Sequence, residues 1–288
     1  MITYSPLTVP NVLGSAAYAV EPFLALLPSA LVHGLSVLDL SLVTWVRPFG
    51  AAILLLACQY LAEQIGSRVQ LAGLQTNVHA YLRRIDFFDS GKIWAFTREP
   101  FNLGEELSRG TASPNVLELL PIRTPSDVDQ TVTRGRQIMG QWLGGGCHYV
   151  DKLVCLLSEA CSNVATHSGA TGYVTIQKYV RGASVDVELA IVDLGCGIRD
   201  SLIQTHGFVA ETCSGYIQRA LNGLSARGID EYGFGLGAMR KATTTSGGSL
   251  FIRSEEGRLS ARQYGTTACD GLSSFPGTQV ELVFHSPL

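Results

Sequence analysis

At 288 residues the chain is long enough for two domains of about 100–200 residues each. Its 46% hydrophobic and 16% charged content describes a globular chain with a sizeable core and excludes a disordered one. A formal net charge of −3 and a pI of about 6.1 give no global electrostatic reason to expect nucleic acid as a partner.

Residues 1–27 hold prolines at 6, 10 and 22 and show no sustained period; they read as a lead-in with a short helix near Ala16–Phe23. Met1 to Pro10 shows neither the basic region nor the apolar core of a signal peptide. Leu35 to Leu40 alternates as a strand. Pro48-Phe49-Gly50 opens a helix that stops near Gly66, and its run Ala51 to Cys58 is the most apolar of the chain. That run is too short for the roughly 20 residues of a membrane span, and Gln59, Glu63 and Gln64 follow it, so a buried helix is expected and no membrane anchor. Val69 to Ala72 is the next strand, and Asn77 could cap a helix Val78–Ile85 with Leu82 and Ile85 inward and Arg83 and Arg84 outward. Strand, helix, strand, helix at short spacing implies a right-handed parallel βαβ unit.

Residues 89–125 are a connector broken by Gly91, Gly104, Gly110, Pro100, Pro114, Pro121 and Pro125, with a candidate strand at Val116–Leu120. Thr124-Pro125-Ser126-Asp127 begins a helix running to about 143, which Gly144-Gly145-Gly146 ends. The domain boundary is placed near 120, giving domains 1–120 and 121–288. A second helix spans about 148–167, closed by Gly169 and Gly172. Tyr173–Tyr179 and Val185–Val192 alternate as a hairpin that runs into Asp193-Leu194-Gly195-Cys196-Gly197. A looser region, Ile198 to Tyr232, holds one helical part near Gly215–Leu224 and ends in Gly233-Phe234-Gly235-Leu236-Gly237. A helix Ala238–Thr245 and strands Ser249–Ser254 and Thr278–Phe284 complete the chain.

Seven cysteines, at 58, 147, 155, 161, 196, 213 and 269, contain no C-x-x-C, which suits reduced thiols and a cytoplasmic setting. Cys147-His148 has no second pair of ligands at a metal-binding spacing.

Three separated elements carry chemistry. On the helix 148–167, Glu159, Asn163 and His167 fall at i, i+4 and i+8 and share one face, while Leu157, Ala160, Cys161 and Val164 can face a core. A carboxylate there can align a water or hydroxyl, and a carboxamide oxygen suits a hard cation such as Mg²⁺. Asp193 is an acceptor at a strand end, with Gly195 and Gly197 permitting close backbone approach to a flat ligand. Gly233, Gly235 and Gly237 stand before a helix, where free amides and the helix dipole can hold phosphate. Lys152, Arg199, Arg219, Arg227, Arg240 and Lys241 are further cations near these elements.

The order polar helix stripe, D-x-G-x-G strand end, variable loop, G-x-G-x-G into a helix, then a Gly-Thr strand resembles the Bergerat-fold (GHKL) ATP-binding domain of gyrase, heat-shock chaperones, sensor histidine kinases and mismatch-repair ATPases. Ser158-Glu159-Ala160-Cys161-Ser162-Asn163-Val164-Ala165-Thr166-His167 looks most like the bacterial anti-sigma-factor serine kinases. The resemblance covers about 125–288 and implies a two-layer α/β sandwich with a mixed sheet. It implies Glu159 as general base, Asn163 as Mg²⁺ ligand, Asp193 as acceptor for the adenine amino group, and Gly195 and Gly197 beside the adenine. It further implies Gly233, Gly235 and Gly237 on the phosphate side, Thr278 supporting the adenine pocket, His167 near the phosphates, and Ile198–Tyr232 as the ATP lid. Residues 35–88, with Tyr81 to Phe88 as Tyr-Leu-x-x-x-x-Phe-Phe, resemble the STAS-like partner domains of bacterial regulatory kinases, although Arg47-Pro48-Phe49-Gly50 carries no hydroxyl at the strand-to-helix junction that is phosphorylated in switched members.

The expectation is a bacterial, cytoplasmic regulator that binds ATP and Mg²⁺, acts on a regulatory protein partner and could form a homodimer, with neither nucleic acid nor membrane as partner. Two readings stay open: a serine/threonine protein kinase or slow ATPase, or a near-silent ATP-gated switch. Histidine autophosphorylation is disfavoured, since no helical hairpin with a phosphoacceptor histidine stands upstream.

Overall fold

The computed structural model describes residues 6–99, 115–143, 148–224 and 235–287. The chain divides into two compact units, Met1–Ser113 and Pro114–Leu288.

The first unit is a four-stranded sheet of β1 (Leu7–Thr8), β2 (Val37–Asp39), β3 (Val69–Ala72) and β4 (Ala95–Thr97), ordered as in the sequence and parallel throughout. Parallel neighbours need crossovers. The first is a 3₁₀ turn Ala17–Val20 with α1 (Glu21–Leu24) and α2 (Leu27–Val32), the second is α3 (Pro48–Ile65), and the third is α4 (Thr76–Arg84) with α5 (Phe87–Ser90). The expected β2–α3–β3 unit is therefore present and parallel. Pro48 occupies the first turn of α3, and Gly66 ends it in the left-handed region at φ 76°. From Pro48 to Cys58 this helix is apolar and buried on all sides, as such a stretch must be in water, and only its last turns bring Glu63 and Gln64 to the surface. It is long and apolar enough to cross a membrane by composition, but 78% of its 18-residue window is buried inside the protein, where it packs on β3, β4 and α2. In α4 the N-cap is Gln75 rather than Asn77; Asn77 Nδ2 instead donates to the Thr44 carbonyl at 2.7 Å. Leu82 and Ile85 point inward as expected.

The second unit is a seven-stranded sheet ordered β10-β9-β8-β11-β7-β6-β5, from β5 (Val116–Ile122), β6 (Gly172–Arg181), β7 (Ser184–Asp193), β8 (Ser249–Glu255), β9 (Gly257–Arg262), β10 (Gly265–Cys269) and β11 (Phe275–Pro287). Helices α6 (Pro125–Leu143), α7 (His148–Asn163), α8 (Ile198–His206), α9 (Cys213–Leu221) and α10 (Gly235–Thr245) complete it. The α/β class is as expected, but the sheet is antiparallel rather than mixed: β7 and β8 run the same way, yet β11 lies between them and opposes both. β5 spans residue 120, so the strand that the boundary near 120 would have divided belongs whole to this sheet.

The core lies between one face of the sheet and the helices. Leu189 and Ile191 of β7, Val280 and Leu282 of β11 and Leu250 and Ile252 of β8 meet Leu153, Leu157 and Cys161 of α7, Met139 of α6 and Met239 of α10. Tyr149 of α7 adds an edge-on contact with Phe284 at 5.6 Å. α6 starts at a reciprocal cap: Asp127 Oδ2 accepts from the Thr124 backbone N–H at 2.8 Å, and the Asp127 N–H donates to Thr124 Oγ1 at 3.3 Å.

Candidate nucleotide site

Asp193 ends β7 with its side chain on the helical side of the sheet, in register with the core residues Leu189 and Ile191. It is 4% exposed, so its carboxylate has lost nearly all its water. Burial pushes its pKa up to about 6, against the opposing pull of hydrogen bonds from Gly195, Ser168 and Thr278. Ser168 Oγ donates to Oδ1 at 2.9 Å and the Gly195 N–H donates to the same oxygen at 2.8 Å. Among the described residues its partners are thus hydrogen-bond donors and not a cation.

Close backbone approach surrounds this carboxylate. A methyl built on Gly195 would overlap the Ser168 carbonyl oxygen, and one built on Gly277 would overlap the Asp193 carbonyl oxygen. Gly277 has φ 81° and sits in the β11 irregularity between Phe275 and Thr278, which turns the Thr278 N–H onto Asp193. Gln279 Nε2 donates to the Asp193 carbonyl at 3.2 Å and to the Pro276 carbonyl at 2.9 Å, locking the strand end from the other side. Gly197 is the N-cap of α8, and Ser254 Oγ of β8 accepts from the Ile198 N–H at 2.9 Å. Thr278 itself is half-buried.

Glu159 and Asn163 lie on α7, both half-buried, on a helix whose other side supplies the core residues Leu157, Ala160 and Cys161. The α-helix ends at Asn163, and Val164–Ser168 forms a π-helical turn closed by Gly169 at φ 68°. The i, i+4 alignment of His167 with Asn163 assumed α geometry. Glu159 and Asn163 share the α-helical stripe, and His167, half-buried, lies in the wider turn that follows it. The same turn delivers Ser168 to Asp193.

Of the glycines expected on the phosphate side, Gly235 takes φ 49° and begins α10, and Gly237 lies in its first turn, where a side chain would press the Leu221 carbonyl at 2.7 Å. α10 packs against α7 and α9, so its N-terminal turn and the Asn163 helix belong to one assembly. Gly233 lies outside the described residues, as do Arg227 and the end of the expected lid.

The described part of that expected lid is not a loose cover. Residues 198–224 form α8 and α9 rather than one helix, and Ile217 and Leu221 are part of the core. Arg199 of α8 pairs with Glu255 at 2.8 Å, and Asp270 accepts from the Ser214 N–H at 2.8 Å in the first turn of α9, which Thr212 caps. Burial raises the pKa of Glu255, opposed by Arg199. Sequence reasoning missed Ser168, Ser254, Gly277 and Gln279. Ser168 directly follows the stripe, and Gly277 stands in the Gly-Thr strand start, so both had a positional signal.

The second unit thus holds a buried carboxylate with glycine turns around it and, in the helical layer, a half-buried Glu159/Asn163 face. Residues 149–286 match the family model of the histidine kinase-, DNA gyrase B-, and HSP90-like ATPases. The second unit thus carries a GHKL-type ATPase domain, an ATP-binding module that typically takes Mg²⁺ with the nucleotide. Neither a curated protein nor a solved structure matches the chain significantly.

The residues present fit such a ligand. Asp193 retains acceptor capacity for an exocyclic amino group after its internal donors are counted. Among the described residues no group of three or more His, Cys, Asp or Glu side chains is arranged to hold a metal by itself. Asn163 on α7 offers a carboxamide oxygen, a donor of the kind that suits a hard cation held mainly by phosphates.

Proposed function

We propose that the protein is an ATP·Mg²⁺-dependent regulator whose second unit transfers the γ-phosphate to a serine or threonine of a partner protein, in the manner of the anti-sigma-factor kinases, or slowly hydrolyses it. The observation that carries the proposal is the pairing of a buried acceptor, Asp193, with a carboxylate on the α7 face, Glu159. Asp193 orients the base. Asn163 holds the cation, whose charge offsets that of the phosphates. The N–H groups at the start of α10, with Gly235 and Gly237 in its first turn, receive phosphate oxygens. Glu159 accepts the proton of the attacking hydroxyl or water, a role worth about 10²–10⁴-fold in rate. A regulatory switch that binds ATP without turnover is the second reading. The anchoring of α8 and α9 by Arg199–Glu255 and Asp270–Ser214 favours it, because elements fixed to the domain leave less of the expected lid free to open and release product. ADP release measured for the wild type and Glu159→Ala decides: turnover lost in the variant supports the kinase or ATPase, and turnover left intact removes Glu159 from the chemistry.

For the first unit we propose a STAS-like docking or dimerisation role in a cytoplasmic signalling protein. Its parallel α/β architecture and its separation from the nucleotide unit support this. Deleting it without effect on partner capture or oligomeric state would refute that role.

A further inference from the structure

The π-helical turn at the end of α7 has a chemical consequence. Val164–Ser168 widens the helix, and its last residue, Ser168, is held to the Asp193 turn twice. Its carbonyl accepts from the Cys196 N–H at 2.7 Å, and its hydroxyl donates to Asp193 Oδ1 at 2.9 Å. The hydroxyl also accepts from the Ala170 N–H at 3.3 Å, and of the two acceptors within reach of its proton Asp193 Oδ1 at 2.9 Å is nearer than the Ala170 carbonyl at 3.4 Å. Ser168 is 5% exposed, so water does not compete for this bond. Insertions of this kind into a helix are frequent at functional sites.

We propose that Ser168 is the positioning residue for base recognition: its hydroxyl fixes which edge of the Asp193 carboxylate faces the ligand, and so makes the site prefer a purine with an exocyclic amino group at the adenine position over one without it. The inference rests on the nucleotide-binding reading given above. A carboxylate has about four acceptor positions. Ser168, Gly195 and Thr278 fill three from inside the protein. One donor from the ligand completes the set. Without the Ser168 hydroxyl, Oδ1 keeps only the Gly195 N–H, so the carboxylate is held less firmly and the single outward position is less sharply defined. Because Ser168 ends the helix that bears Glu159 and Asn163, its backbone bond to Cys196 also ties the phosphate-side helix to the base-side turn. That backbone tie survives substitution of the side chain, which separates positioning of the base from support of the fold.

The test uses the full chain and calorimetric titration with non-hydrolysable analogues of ATP and ITP, the latter carrying a carbonyl where adenine has its amino group. The wild type is expected to prefer the ATP analogue. In Ser168→Ala the affinity for the ATP analogue should fall about tenfold while that for the ITP analogue changes little, so the preference collapses. Ser168→Thr, which keeps a hydroxyl, should restore it. Ser168→Cys keeps the shape but donates poorly, so it should behave as the alanine variant and serves if that variant does not fold. Equal loss for both analogues, or an intact preference in the cysteine and alanine variants, would overturn the role of Ser168 alone. A wild type that binds neither analogue would overturn the nucleotide reading on which it rests.

Discussion

Replacing Asp193 by asparagine separates ligand recognition from fold stability, because the two effects have opposite signs. The asparagine carbonyl can keep the bonds from Ser168 Oγ and the Gly195 N–H that Oδ1 now accepts. The other end becomes an NH₂ group, a donor, where a ligand amino group needs an acceptor. A charge-assisted hydrogen bond to the ligand is thereby lost, which costs about 1.5–3 kcal/mol, or roughly 10- to 150-fold in affinity. Stability without ligand moves the other way. Burial pushes the Asp193 carboxyl up to about 6 from its ordinary 3.8. The folded state therefore binds the proton more tightly than the unfolded chain. Its contribution is complete below the unfolded pKa and is lost as pH rises through about 6, a loss of up to about 3 kcal/mol. Asparagine removes this term. Denaturant melts of the wild type should show stability falling between about pH 4 and pH 6 from this group, and Asp193→Asn should flatten that part of the profile. Calorimetric titration at about pH 8 should show the weaker nucleotide binding. An unchanged affinity, or a variant whose pH profile matches the wild type, would refute the placement of Asp193.

Glu159→Gln should lower ADP formation by about 10²–10⁴-fold while nucleotide affinity stays within about threefold, read by coupled turnover and titration; equal losses in both would contradict a role as base. Gly277→Ala forces a side chain to φ 81° and into the Asp193 carbonyl, so the urea midpoint should fall by the equivalent of roughly 2 kcal/mol or more. A change below about 0.5 kcal/mol would mean the β11 irregularity is not held as described. Truncation should discriminate between boundaries: a chain beginning at 114 should fold and bind nucleotide. One beginning at 121 loses the buried Val116, Leu117 and Leu119 and the Leu117 carbonyl that Thr175 Oγ1 bonds at 2.7 Å, so its Tm should be clearly lower. Equal Tm values would argue against β5 as an integral strand.

The elements with a single strong signal were legible in the sequence. The apolar run of α3 and its glycine stop, the alternation of β3, β6 and β7, and the glycine-flanked start of α10 were each visible because one period or one turn residue dominated. The D-x-G-x-G strand end placed Asp193 correctly at the close of β7. What was not legible depended on distant partners. α8 has one buried residue, Leu202, in nine, too weak a stripe to read, and it is positioned by Ser254 and Glu255 far along the chain. β9 and β10 were missed because Gly257–Arg262 mixes charge with small residues and Gly265–Cys269 is largely exposed; their strand state comes from pairing with β8 and each other. The π turn cannot be read from i, i+4 spacing, and Ser168, which it carries to Asp193, was overlooked.

The most direct test of the account is calorimetric titration of the full chain with a non-hydrolysable ATP analogue, with and without Mg²⁺, on the wild type and Asn163→Ala. The account expects tighter binding with Mg²⁺ in the wild type and loss of that Mg²⁺ enhancement in the variant. Binding that is indifferent to Mg²⁺, or a variant that keeps the full enhancement, would contradict the assignment of α7 as the helix that holds the nucleotide's metal.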